Sequence, residues 1–271
     1  MKTKQKIFLA IIIRKIISII YRNNQVLAKR NGIFWDLNLK EGIDLSIFLF
    51  GNFEKSIIKM TKILLRSKNL DIIDIGANMG VHSLNLSKIY KNVKVFAIEP
   101  TNFGFQKLIK NLRLNNNLKN VNPFQLFITK TLKKPPSVYS SWELTSNNNL
   151  KHKKHLGIKK SSSNAKSMSL DNFVKKNKIF KRTLIKCDVD GNELDVFKSG
   201  YKYLKKYKPF IIMELAPYLY PENGYNYSIL LDYLRKFNYK FYDGSSFKKI
   251  SNIYDYAKSI KDGESVNIFL K

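Results

Sequence analysis

A single cysteine, Cys187, occurs in the 271 residues, so an intrachain disulfide is excluded and a reducing compartment fits. Acidic side chains are scarce. Twenty Asp and Glu stand against 49 Lys and Arg, and the formal net charge is +29. Such a field attracts nucleic acid, anionic lipid or an acidic glycan. The excess is mostly lysine, spread along the chain beside many Asn and Ile, as in an A/T-rich coding sequence. No arginine-rich tract or RNA-binding signature accompanies it, so nucleic acid is a disfavoured partner. Long apolar runs are missing too. Ile7 to Ile13 is apolar, but Arg14 and Lys15 interrupt it, well short of the about 20 residues of a membrane span. With no small-residue cleavage site following, a signal peptide is also a poor fit. Arg14, Ser18 and Arg22 draw one polar stripe on an otherwise oily helix. That helix either lies on a membrane surface through residues 1–22 or packs on the body of the protein. The expectation is a helical extension over 1–30, one domain over 31–271, and a cytoplasmic chain that is free or membrane-associated.

What is present is an alternation of strands and helices. Asp71–Ile75, Val93–Ile98, Val121–Phe127, Thr183–Val189 and Phe210–Leu215 read as buried strands. Helical segments fall at Ser56–Arg66, Val81–Tyr90, from Thr101 through Leu114, from Ser169 over SLDNFVKK, at Asn192–Lys206 with a break near Gly200, and at Ser228–Phe237. Tyr239–Tyr242 and Val266–Leu270 read as a closing antiparallel pair. Asn31 to Glu54 mixes apolar runs with turns, and Ile128 to Met168 is a long irregular stretch rich in Ser, Asn, Lys and Pro. The alternation predicts an α/β fold with a doubly wound, mostly parallel, Rossmann-like sheet. Ligands bind such sheets beyond the carboxyl ends of the strands. Asp74–Gly80, Glu99, Asp188–Gly191 and Glu214 all fall at those ends.

The corner after the first of these strands reads Asp74-Ile75-Gly76-Ala77-Asn78-Met79-Gly80. It has G-x-x-x-G, not the G-x-G-x-x-G of a dinucleotide site. The missing glycine is the one that lets the backbone approach a pyrophosphate. Asp74 beside the turn suits a cation better than a phosphate. S-adenosylmethionine carries a sulfonium and an ammonium and no phosphate. Gly76 and Gly80 would let the backbone approach its methionine part. Glu99, 23 residues after Gly76, ends the next strand. An ionised carboxylate there accepts from both ribose hydroxyls.

DIGANMGVHSL, AIEPTNFGFQKLIKNLRLNN, SLDNFV and LIKCDVDGNELDVFKSG, in that order, resemble the FkbM-family methyltransferases. The resemblance covers roughly residues 33–240. It implies a class I fold, S-adenosylmethionine as cofactor and transfer mostly to oxygen. Asp190 stands where the family usually has Glu, and an acidic residue for the adenine amine is missing from NPFQLFITK. Backbone or Gln125 is left for that contact.

Methyl transfer to a hydroxyl needs an acceptor held in line and a base for its proton. Asp188 is the first candidate base and Glu214 the second; the alternative for each is a structural carboxylate paired with lysine. Trp142, His152 and His155 lie in the long loop, as acceptor contacts or as plain loop residues. The HKKH pair has too few ligands for a metal, and Asp188-x-Asp190 lacks the EF-hand spacing. His82 is assigned to the helix after the glycine turn and Cys187 to the core. The leading function is O-methylation of a hydroxyl on a glycan or other small secondary metabolite. The competing readings are an RNA or protein methyltransferase, an NAD-dependent oxidoreductase and a non-catalytic membrane-bound module.

Overall fold

The computed structural model describes residues 17, 24–65, 69–116, 118–131, 136–139, 151–154 and 157–271. Trp142, His155 and nearly all of residues 1–22 lie outside the described residues. The chain opens with a hairpin of β1 (Gln25–Arg30) and β2 (Ile33–Asn38) in antiparallel register from Gln25↔Asn38 to Arg30↔Ile33. Its two-residue turn is Asn31-Gly32, both at positive φ, the pair that a turn matching the strand twist requires. α1 (Gly42–Phe50) and α2 (Lys55–Leu65) follow. β2 and α1 occupy the stretch in which the sequence showed only apolar runs and turns, while β1 falls within the expected helical extension.

The central sheet then forms. β3 (Ile72–Ile75), α3 (Val81–Ile89), β4 (Val95–Ile98), α4 (Asn102–Leu114) and β5 (Val121–Phe124) wind in one direction. β6 (Leu126–Ile128), β7 (Val138–Tyr139), β8 (Lys159–Lys160) and β9 (Lys166–Met168) make two small side ladders, β6 with β9 and β7 with β8. β7 and β8 thus pair within the long irregular stretch, and β6 with β9 joins its two ends. α5 (Leu170–Lys176), β10 (Leu184–Cys187), α6 (Glu193–Ser199), α7 (Tyr201–Tyr207) and β11 (Phe210–Leu215) wind the other way. After a 3-10 turn at Tyr220–Asn223 come α8 (Tyr227–Arg235), β12 (Phe241–Asp243), α9 (Ile253–Ser259) and β13 (Val266–Leu270).

The seven strands lie in the order β12-β13-β11-β10-β3-β4-β5. Only β13 runs against its neighbours, slotted between β11 and β12. Pro123 sits in β5, at the edge, where no further ladder bond is needed. Alternate strand residues face opposite ways. Ile73, Ile75, Ile98, Ile185 and Met213 pack with α5–α9, while Ile72, Val95, Ala97, Leu184 and Ile212 pack with the hairpin and α1–α4. Ile17 also packs against the second layer.

Local signals in the sequence account for the helix starts. The hydroxyls of Thr101 and Ser169 accept from the N–H groups of Gly104 and Asn172, the capping expected of those residue types. Gly200 separates α6 from α7, and Leu170 packs where its Cβ would be. The expected domain boundary at residue 30 falls inside the hairpin, so a boundary before Gln25 suits the pairing better. Among the described residues no helix is long and apolar enough to cross a membrane.

Candidate active site

The strand order reverses between β3 and β10, and at the carboxyl ends of these strands opens a cavity of about 760 Å³. The turn leaving β3 shapes its floor. Gly76, Asn78 and Gly80 have φ of 82°, 50° and 91°, a left-handed series that costs a side chain about 1–2 kcal/mol per residue. A Cβ on Gly76 would lie 1.8 Å from the Asp188 carbonyl oxygen, and one on Gly80 2.6 Å from Leu108 Cδ1. These glycines therefore serve chain-to-chain approach: Gly76 to the loop after β10, Gly80 to α4. Gly76 and Asn78 line the cavity; Gly80 does not.

Glu99, at the end of β4, is buried and lines the cavity. Its Oε2 accepts the Asn78 N–H at 2.9 Å, and its Oε1 accepts the Thr101 N–H at 2.8 Å. Gly104 on α4 has no side chain where the Glu99 carboxylate passes. Burial pushes the Glu99 carboxyl up, with the hydrogen bonds from Thr101 and Asn78 opposing. Asp74, expected at the ligand, lies behind the wall. It is fully buried, accepts from Ser83 Oγ at 2.6 Å and pairs with Lys186 at 3.4 Å. Gln125 likewise does not line the cavity; its amide donates to Asn102 Oδ1 at 2.9 Å. Leu126, Phe127 and Ile128 line the cavity instead, as do Val138 and Tyr139.

Lys186 was not singled out from the sequence and is the hub of the site. Its buried ammonium donates to the Gly76 carbonyl at 3.0 Å and lies 3.3 Å from Asp188 Oδ2. Burial pulls its pKa down, but Asp188, Asp74 and Glu54 more than offset that and hold it above the ordinary lysine value. Asp188 and Glu214 both line the cavity as expected. Asp188 is engaged by Lys186, the lysine pairing that the sequence left as an alternative. Glu214 Oε1 accepts from Ser265 Oγ at 2.5 Å. Burial, then the charges of Asp188 and Asp190, raise the Glu214 carboxyl well above its ordinary value. Asp190 is raised in the same way by burial, Asp188 and Glu193. Glu193, beneath this loop, accepts the N–H groups of Val189 and Gly191 through Oε1 and leaves Oε2 without a hydrogen bond.

Two further residues line the cavity beyond the sequence candidates, one of them His82, which the sequence placed in the helix after the glycine turn and which stands there. Glu54, in the α1–α2 loop, and His82, in the first turn of α3, both line the cavity, with His82 Nε2 3.5 Å from Glu54 Oε2. Nothing local marks this pair; only packing of α1 and α2 over the β3 turn brings it together. His152 does not reach the cavity. Its Nε2 meets both carboxylate oxygens of Glu222 at 2.9 Å and its ring packs on Tyr139, so it ties the long loop to the 3-10 turn after β11. No cluster of three or more His, Cys, Asp or Glu able to hold a metal occurs among the described residues.

A seven-stranded sheet with one reversed strand next to the edge, and a ligand cleft at its switch point, defines a class I methyltransferase fold. The model of the FkbM methyltransferase domain matches residues 74–241, more than half of the chain, and the chain belongs to that family. The family uses S-adenosylmethionine. No curated protein matches the sequence. Among solved structures, the chain is similar to methyltransferase FkbM from Methylobacillus flagellatus KT, with 14% identity and a TM-score of 0.47. That match covers 75% of this chain and 44% of the other, so this chain spans less than half of that protein. It is also similar to the METTL16 methyltransferase domain, at 13% identity over 88% and 73% of the two chains with a TM-score of 0.48. Human methyltransferase 10 domain containing protein matches at 14% identity over 88% and 87%, with a TM-score of 0.44.

Proposed function

We propose that the cavity binds S-adenosylmethionine and that the protein methylates a hydroxyl of a glycan or other small secondary metabolite. The observation that carries the reading is Glu99. It is a buried carboxylate at the end of β4, held by two backbone N–H groups and facing the cavity. The cofactor's ribose would rest against Glu99, and its methionine part against the Gly76–Asn78 backbone. Adenine would sit between Leu126–Ile128 and Tyr139, which offer apolar surface where an acidic partner is missing. When bound, the cofactor supplies an electrophilic methyl group on a sulfonium.

The residues fit a cationic guest. Glu54, Glu99, Asp188, Asp190, Glu214 and Glu264 line the cavity, against Lys186 and Lys261. The same wall bears on the acceptor. Methylation of RNA or protein is favoured by the net charge of +29 alone, whereas a phosphate entering this cavity meets more acidic than basic side chains, Glu54 among them with its carboxyl held below its ordinary value. A neutral hydroxylated acceptor meets no such repulsion. Replacing Glu99 by Ala removes the ribose acceptor and is expected to weaken cofactor binding by about 1.5–3 kcal/mol. Titration calorimetry on the folded variant checks this; unchanged affinity sinks the assignment.

A further inference from the structure

We propose that His82 is the group that takes the acceptor's proton, and that Glu54 orients the imidazole and stabilises its charged form. The inference rests on the methyl-transfer reading above and supplies the base that reading needs. Both carboxylates expected for the role are otherwise engaged. Asp188 faces the Lys186 ammonium at 3.3 Å. Glu214 binds Ser265, and burial with the Asp188 and Asp190 charges holds it toward its protonated, donor form.

The geometry at His82 differs. The residue stands in the first turn of α3, directly after the glycine corner, with its side chain 8% exposed and bordering the cavity. Its Nε2 faces Glu54 Oε2 at 3.5 Å, a separation of the kind that tightens when a substrate closes the site. With Nε2–H directed at the carboxylate, Nδ1 is left as the proton acceptor. Glu54 is built for a fixed position. It holds φ of 51° although it is not glycine, a backbone state costing about 1–3 kcal/mol that persists where the surroundings enforce it. Burial pushes the Glu54 carboxyl up, but the hydrogen bond and charge of His82, with Lys186, outweigh it and hold the carboxyl below its ordinary value. Glu54 lies outside residues 74–241, so the matched family domain does not itself contain the pair.

The step balances. The hydroxyl oxygen attacks the methyl carbon, and the C–S bond breaks with its electron pair returning to sulfur. The hydroxyl proton passes to His82 Nδ1, and the imidazolium later releases it to water. The charged groups around the pair are Lys186 on β10, paired with Asp74 and Asp188, and Glu214 on β11. The lysines of α2, the helix packed on α3, are exposed.

Two measurements on the full chain test this. The first is the nitrogen NMR spectrum of the His82 ring in wild type and Glu54→Leu, with no acceptor present. The expected result is a ring whose proton sits on Nε2 in wild type and a loss of that tautomer preference when the facing carboxylate is removed. The second follows transfer of labelled methyl from S-adenosylmethionine to a panel of neutral hexoses, deoxyhexoses and amino sugars. His82→Asn should lose about 10²–10⁴-fold in turnover while cofactor affinity stays within about threefold. Glu54→Leu should lower kcat with the KM for cofactor unchanged, and Glu54→Asp should restore part of the loss. A His82 tautomer indifferent to Glu54→Leu, or turnover retained in His82→Asn, overturns the proposal. If wild type methylates no hydroxyl, the O-methylation reading fails instead, and the acceptor-free spectrum still decides whether the pair exists.

Discussion

Lys186 shows how one side chain holds a site together. Its ammonium joins the end of β3, through Asp74 and the Gly76 carbonyl, to Asp188 after β10. Replacement by Met leaves buried carboxylates without their cation. Removing one partner of a buried pair costs about 3–5 kcal/mol, and urea denaturation of Lys186→Met should show a loss of that order. Adding Asp74→Asn should recover part of it, because the two sites share one interaction. Glu193 gives a pH signature at the same scale. Burial raises its carboxyl from 4.5 to about 7, against the backbone hydrogen bonds that favour the anion. A raised folded-state pKa means that its stabilisation is complete below the unfolded value and fades as pH climbs through about 7. Glu193→Gln keeps the shape and removes the titration. Relative to wild type, the variant should gain up to about 3 kcal/mol between about pH 5 and pH 8, read from urea midpoints at the two pH values. A constant difference across that range would show that Glu193 does not titrate there.

At the scale of elements, the β3–α3 turn is fixed by close approach more than by ligand. Gly76→Ala puts a methyl on the Asp188 backbone, which cannot swing away, whereas Gly80→Ala meets only the ends of Leu108 and Leu84. Both substitutions strain φ, so the difference between them isolates the contact. Gly76→Ala should cost roughly 2–5 kcal/mol and Gly80→Ala distinctly less, measured by chemical denaturation. The N-terminal hairpin is a second element with consequences. β2 is satisfied on its free side by Asn111 of α4 and Asn115 just after it, whose side-chain oxygens accept the Asp36 and Phe34 N–H groups at 2.9 Å. Its other side is satisfied by β1 along six residue pairs. Its Asn31-Gly32 turn between alternating segments was a legible hairpin signal; the run Gln25–Arg30 was obscured by its assignment to a helical extension.

At the scale of the molecule, the hairpin, α1 and α2 form one side of the second core layer and reach the cavity through Ile43, Phe53 and Glu54. A chain beginning at Asn24 loses, among the described residues, only the Ile17 contact with this layer, and should fold, melt slightly below the full chain and bind cofactor. One beginning at Asn31 lacks β1 and the buried Ala28, and should melt several degrees lower with weakened binding. Equal melting temperatures for the two would mean that β1 contributes no net stability. The charge is divided on the same scale: a chain of net charge +29 turns predominantly acidic side chains into its cavity. Composition reports the surface and is silent about the pocket.

The sequence by itself determined the sheet and its corner. Short β-branched runs alternating with capped helices allow few windings, and the spacing from Gly76 to Glu99 is set by one strand–helix–strand unit, so Gly76, Asn78 and Glu99 could be placed at the carboxyl ends of the strands, where they line the cavity. Asp188 and Glu214 were found as strand ends for the same reason. The tertiary structure alone decided how each was used. It withdrew Asp74 behind the wall, gave Asp188 to Lys186, tied His152 to Glu222, and set Glu54 against His82 across 28 residues of chain. The physical reason is range. Strand and helix patterns arise from neighbours a few residues apart, which the sequence displays directly. Ion pairs and cavity walls arise between residues far apart in the chain, and burial, which sets both their strength and their protonation, exists only once the layers have packed.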